Sequence, residues 1–428
     1  MKPIVPQKKV YVILTACILF NLSVGVLYVW SVIKAKLIAP ASAGGGGWTS
    51  AQAGLPYTLA IIFFALGLLV GGKVQDKIGP RWVVTCGGLL TGFGLILAGL
   101  VGNSPVGIAI CFGVIAGFGI GLGYGCTTPP ALKWFHASKK GLISGLIVGG
   151  FGIAGLYLAP LTNSLLDNVG IERALMVLGA IVIVIGAPIA QFIKNPPAGY
   201  IPAVPKNLKQ SETKSVASVD FTWKEMIRTK RFYLLFIMFL FSSSVGLMII
   251  GNMSKIASMQ VGITDTAILA ILVSFLAVTN TLGRVGGGIM SDKIGRVNAL
   301  FVVFILQALN MVGFMIYPNL AALVFGVVIV GFSYGTLLSV FPSLTADQYG
   351  LKNYGANYGI LFLSWGLAGV AAPMMADYFY DLHGDFDVAY IICAVMMSSL
   401  VFVNYLLKKD LDGLQVSREQ ITQTLKHS

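Results

Sequence analysis

Twelve stretches of this chain stay apolar for about twenty residues at a time, and that constrains its fold more than anything else in the sequence. They lie at roughly 10–33, 50–71, 82–102, 105–128, 141–163 and 172–193, then at roughly 231–254, 266–290, 298–317, 319–342, 357–376 and 388–407. A helix rising 1.5 Å per residue needs about 20 residues to cross about 30 Å of hydrocarbon, so each run is long enough to span a bilayer. Strands of a membrane barrel would instead alternate polar and apolar residues over about ten positions. Only 11% of the 428 residues are charged, against roughly 25% in a soluble protein. A soluble chain of this length could not bury that much apolar surface. A soluble enzyme, a disordered chain and a secreted disulfide scaffold are excluded. The expected fold class is an all-α membrane protein of twelve transmembrane helices.

The formal net charge of +13 raises the question of a nucleic-acid partner until the basic residues are located. Twelve spans put both termini on one side. On that side and in the long central loop fall 24 of the 29 Lys and Arg residues; Lys34, Lys36, Arg173 and Lys255 lie opposite, and Arg284 lies inside a span. The positive-inside rule then places both termini in the cytoplasm of a cell with the chain in its inner membrane, and the charge excess reports topology with no nucleic acid required. The first apolar run is too long for a signal-peptide core and lacks a small-residue cleavage site, so it is expected to stay as a helix. The five cysteines all lie within apolar runs and read as packing residues.

The chain divides as six spans (1–193), a linker (194–230) with four prolines and a Ser/Lys/Thr stretch, six more spans (231–407) and a tail (408–428). An internal repeat supports a duplication. GKVQDKIGPR (72–81) follows the second span and GIMSDKIGR (288–296) follows the eighth, their Asp76 and Asp292 being 216 residues apart. Gly72, Asp76, Lys77 and Gly79 thus echo Gly288, Asp292, Lys293 and Gly295. A glycine permits a sharp exit from a helix, and the aspartate can pair with loop cations or cap a helix start. A second echo pairs Tyr124-Gly125 with Tyr334-Gly335. Two pseudo-symmetric six-helix bundles are expected.

The doubled loop, the six-plus-six layout and the central linker resemble the major facilitator superfamily over the whole chain. Within it, NPPAGY (195–200), NTLGR (280–284) and NYG (357–359) are similar to the oxalate/formate exchangers and their bacterial relatives, which in turn resemble animal monocarboxylate transporters. That resemblance implies two bundles around a central cavity that opens alternately to each side, with substrate near the midplane. One departure is plain. Where the animal transporters carry an acidic-Gly pattern early in span one, this chain has Asn21-Leu22-Ser23-Val24-Gly25.

Arg284 lies eight residues before Asp292, about 12 Å from the end of its span. An arginine at that depth costs at least about 2.5–3.5 kcal/mol, so something must answer it. A carboxylate on another helix would do so, yet no Asp or Glu falls deep in any span, and Asp377 at the outer end of span eleven is nearest. The guanidinium then faces a watery cavity or awaits an anion, and its fixed fork of donors matches a carboxylate. Asn280, one turn earlier on the same face, can orient Arg284, donate to a substrate oxygen or bond a neighbouring helix. Gly283, Gly286, Gly287 and Gly288 thin this helix.

Tyr28, Tyr124 and Tyr334 each carry a hydroxyl to membrane depth, and from position alone each reads as glue between helices. The resemblance implies instead that they line the cavity, together with Phe362 and Trp365. Aligned through the NYG, Trp365 falls where oxalate exchangers carry a lysine for a second carboxylate. One cation among aromatic rings suits one carboxylate on a small apolar body such as lactate or pyruvate. The expectation is a secondary carrier working as a monomer by proton symport, with oxalate/formate-type exchange as the alternative and a membrane sensor on a carrier fold as a different class. An intramembrane enzyme would need a reactive pair within the spans, and none occurs. No metal, cofactor or nucleotide motif is found: the three histidines lie outside the spans, and GGGG (44–47) precedes no strand.

Overall fold

The computed structural model describes residues 6–40, 42, 45–204, 220–263 and 265–427, and all regular structure among them is helical. Among the described residues ten helical stretches are long and apolar enough to cross a membrane. One of them contains α8 (Lys140–Ala190), which breaks at Gly170 (φ 80°, ψ 173°) and so crosses twice. A further 29-residue helix, α11 (Thr266–Ile294), packs lengthwise between α8 and α13 (Leu320–Tyr349). The twelve expected crossings are present, with both ends of the chain on one face, here the terminal face.

Most helices outrun their apolar segments. α10 covers Lys230–Val261, α14 covers Tyr354–His383, and α15 continues from Asp387 to His427, past the expected end of span twelve. Hydropathy marks only the part of a helix within the hydrocarbon, whereas the backbone ladder continues until a cap or glycine ends it.

Two spans depart from the expected continuous helix. Span one is α1 (Gln7–Ser23), a 3₁₀ turn over Gly25–Val29, and α2 (Trp30–Ile38). Span four starts with α5 (Pro105–Ile108), passes through a π-helical stretch at Ala109–Ala116 into α6 (Gly117–Gly125), and restarts as α7 (Thr128–Trp134). The breaks are tied together. Asn21 donates through Nδ2 to the Ile147 carbonyl on α8 (2.9 Å) and accepts from the Thr127 hydroxyl (3.2 Å), both side chains being buried. Broken helices at membrane depth survive where protein neighbours satisfy the freed groups. The Asn21–Gly25 segment, ordinary as sequence, thus ties the break in span one to spans four and five.

The repeated loop motif makes the same turn twice. α3 (Ser50–Ile78) passes into α4 (Pro80–Leu100) through Gly79 at φ 88°, and α11 into α12 (Arg296–Phe314) through Gly295 at φ 89°. With ψ near 160° this conformation belongs essentially to glycine. Gly72 and Gly288 are placed differently, inside their helices, where the opposite half packs onto them. A Cβ at Gly72 would strike the Gly355 carbonyl on α14, and one at Gly288 would strike the Gly141 carbonyl on α8.

The two aspartates cap helices of the opposite half. Asp76 accepts from the backbone N–H groups of Gly355 (3.3 Å) and Ala356 (3.0 Å) at the start of α14. Asp292 accepts from Gly141 and Leu142 at the start of α8, both at 2.8 Å, and from Arg296 Nη1 at 2.5 Å. Negative charge at a helix N-terminus is stabilised by the unpaired N–H groups there. Arg296 and Lys140 also pair with Asp347 on α13, at 3.1 and 2.8 Å. Lys77 and Lys293 are exposed. Together these contacts close the terminal face.

The end of the linker docks on the same corner. Asp220 accepts from the N–H groups of Leu351 and Lys352, and the Phe221 carbonyl accepts from the amides of Asn353 and Asn357. The short helix α9 (Trp223–Met226) begins with a capping box in which the backbone N–H and hydroxyl of Thr222 hold the Glu225 carboxyl below its ordinary range. The Lys73 ammonium, from the first half, sits 4.9 Å from the Trp223 ring centre. The expected linker residues 205–219 lie outside the described residues.

Candidate functional site

Arg284 is 1% exposed and sits where α11 meets α8, within reach of Tyr28 in span one. Small residues make the room: a Cβ at Gly145 would strike the Arg284 carbonyl, and one at Gly152 would crowd its guanidinium. Its Nε donates to Asn280 Oδ1 at 2.9 Å, Nη1 to the Val148 carbonyl at 2.5 Å, and Nη2 to the Tyr28 hydroxyl at 2.8 Å. Among the described residues no carboxylate pairs with it; the ion pairs lie at the ends of the helices. Among the described residues three of five N–H donors are engaged, leaving one on each terminal nitrogen. Two of the three acceptors belong to the first six spans, so the arginine bonds across the seam between the halves.

Rings continue the cluster from Tyr28. Its ring packs edge-on against Phe151 (5.4 Å between centres), Phe151 against Tyr124 (5.0 Å), and Tyr124 tilts against Phe362 (6.3 Å). Phe362 stacks on Trp365 at 4.8 Å, and the indole N–H of Trp365 donates to the Tyr334 hydroxyl at 2.8 Å. The seven residues singled out from the sequence thus converge on one buried cluster at the seam. Asn280 orients Arg284 through its carbonyl oxygen, one of the roles open to it.

Other members were missed. Phe64 touches Tyr124, Phe151, Phe362 and Trp365. The Val148 carbonyl accepts from the guanidinium, and Asn21 with Thr127 fixes the neighbouring helix breaks. Asn21 could have been found as a polar residue amid an apolar run; nothing in the sequence separates Phe64 or Phe151 from the other phenylalanines. Asp377 lies apart, exposed and 3.4 Å from Lys255, whose ammonium also rests over Tyr380. No group of His, Cys, Asp or Glu that could hold a metal occurs among the described residues.

Twelve crossings in two sets of six thus meet around Arg284, and comparison with known proteins makes such a chain a membrane transporter rather than an enzyme. The chain belongs to the Major Facilitator Superfamily, whose model matches residues 11–373 and again 260–426. Among curated relatives it is 29% identical to the uncharacterized MFS-type transporter YhjX of Escherichia coli, over 86% of this chain and 88% of that one. It is 30% identical to the oxalate:formate antiporter of Oxalobacter formigenes (84% and 82% covered) and 24% identical to monocarboxylate transporter 12 of Rattus norvegicus (78% and 73%). The fold matches the E. coli fucose:proton symporter FucP with a TM-score of 0.69 at 12% identity, covering 94% of this chain and 98% of that one.

Proposed function

We propose that the protein carries small monocarboxylates such as lactate or pyruvate across the inner membrane by proton symport, with both termini in the cytoplasm. The observation that carries this reading is Arg284: a buried cation with no carboxylate partner among the described residues and one N–H left on each terminal nitrogen. A substrate carboxylate supplies the missing charge. It accepts from those N–H groups and competes with the Tyr28 hydroxyl, while Asn280 holds the plane of the fork. The rings of Tyr124, Phe362 and Trp365 receive the apolar body. Trp365, already donating to Tyr334, offers no second positive charge, which favours one carboxylate over two.

The likeness to an antiporter of oxalate and formate supports a second reading, obligatory exchange of anions. A bare guanidinium in a closed, dry cavity is costly. Exchange avoids the cost by returning with another anion. Symport keeps the transported sum neutral, and in the empty carrier Val148, Tyr28 and Asn280 remain to solvate the cation. All those partners come from one chain, so a monomer is a complete carrier.

The test uses liposomes holding no internal anion. An inward proton gradient drives uptake of labelled lactate or pyruvate if the symport reading holds. Uptake that ignores the gradient and starts only after preloading with a second acid establishes exchange instead.

A further inference from the structure

A groove of about 380 Å³ runs along the outer wall of the bundle, away from the substrate cluster, between α1 and the last turn of span six. Lys8, Tyr11, Thr15 and Leu19 form one side, and Ile189 and Phe192 the other. The α1 residues fall at steps of three or four, so they make one stripe on one helix face. From Lys8 to Leu19 the stripe climbs eleven residues, about 16 Å, which is half of a hydrocarbon core of about 30 Å. The groove therefore reaches from the headgroup level of the terminal face to the bilayer midplane, the depth of one leaflet. Tyr11, Leu19 and Phe192 are exposed along it.

Its polar end is cationic. Lys8 lines the groove in the first turn of α1, with Lys9 beside it in sequence. Among the described residues Lys8 is the one charged side chain that lines it. Acidic residues are nearly missing here: Asp76 is the first in the chain and Asp167 the second, and Asp76 is engaged at the start of α14.

We propose that this groove is a binding site for an anionic phospholipid of the leaflet at the terminal face, one acyl chain lying along the α1 stripe and the phosphate at Lys8. The apolar stripe ends at the depth where an acyl chain ends, and the Lys8 ammonium stands where its headgroup stands. A zwitterionic lipid matches the stripe and not the charge; a free phosphate matches the charge and not the stripe.

Purified, delipidated protein in neutral detergent is titrated with phosphatidylglycerol, phosphatidylcholine or glycerol phosphate, and thermal unfolding is followed alongside native mass spectrometry of retained lipid. Phosphatidylglycerol is expected to raise the midpoint by about 2–4 °C more than phosphatidylcholine, and glycerol phosphate by nothing. Lys8→Gln should abolish the difference between the two lipids. Thr15→Trp, which fills the groove, should reduce retained phosphatidylglycerol while leaving the lipid-free midpoint near the parent's. Equal responses to both lipids, a difference that survives Lys8→Gln, or full retention by Thr15→Trp each overturn the proposal. Retained lipid is counted on the folded fraction, so a variant that folds poorly still gives a reading.

Discussion

At the scale of single residues, the question is how a guanidinium tolerates membrane depth with no counter-ion among the described residues. Arg284 does so through a side-chain amide, a backbone carbonyl and a phenol, all neutral acceptors. They solvate the charge and do not cancel it. Arg284→Ala should insert normally yet lose roughly a hundredfold or more of substrate uptake, the scale set by unpairing a buried charge; Arg284→Lys, which keeps the charge and loses the fork, should lose less. Near-parental uptake by the Ala form in reconstituted vesicles would reject the anchor role. Trp365→Lys places a second cation over the cluster. Lactate transport should fall roughly tenfold and binding of a dicarboxylate such as oxalate should emerge, both readable as ligand-induced thermal shifts. If Trp365→Lys and Trp365→Ala both match the parent, residue 365 does not meet the substrate. Arg284 and Asn280 were legible as a charge and an amide in an apolar run; Tyr28, Tyr124 and Tyr334, which position alone read as glue, and Phe362 and Trp365 came into the candidate site through the resemblance. Phe64 and Phe151 were not legible, since core and cavity use the same letter, and the Val148 carbonyl has no letter at all.

At the scale of elements, each half lends an aspartate to the other half's helix start, and the two grips differ in strength. Asp292 makes two bonds at 2.8 Å and pairs with Arg296, whereas Asp76 bonds at 3.0 and 3.3 Å and, among the described residues, has no arginine paired with it, since Arg81 of the same repeat turns to Gln191 instead. Asp292→Asn should therefore shift the population toward a terminal face that is open by about tenfold, and Asp76→Asn by less. Paired spin labels across the α8–α11 and α3–α14 seams would measure both. An equal effect, or a larger one for Asp76→Asn, contradicts this ranking. The loop repeat was readable as a duplication; that its aspartates reach across to the opposite half was not, because a capped helix 150 or 280 residues away leaves no local pattern. The break in span one was equally silent. No proline marks it, and the bonds of Asn21 to Thr127 and to the Ile147 carbonyl show what holds the chain there.

At the scale of the whole molecule, length of apolar run, charge asymmetry and internal repeat were together sufficient for the twelve-helix, two-bundle plan, since each is a physical demand of the bilayer rather than of packing detail. Which way the plan sits in the membrane rests on the basic residues alone. Reporter fusions in the 194–230 linker and at the C-terminus should both report from the cytoplasm; a fusion active outside the cell would reverse the assignment.

The bonds across the seam bear on manufacture as well as transport. Two of Arg284's three acceptors, Tyr28 and the Val148 carbonyl, lie in the part of the chain that leaves the ribosome first. When residue 284 emerges, its solvating groups are already in the bilayer, so the costly charge enters against a waiting partner rather than bare lipid. A chain beginning at residue 230 lacks that partner. Expressed alone it should be inserted poorly and degraded; co-expression with residues 1–204, or the single change Arg284→Leu, should restore its yield. If neither does, the earlier half is no guide for the later one.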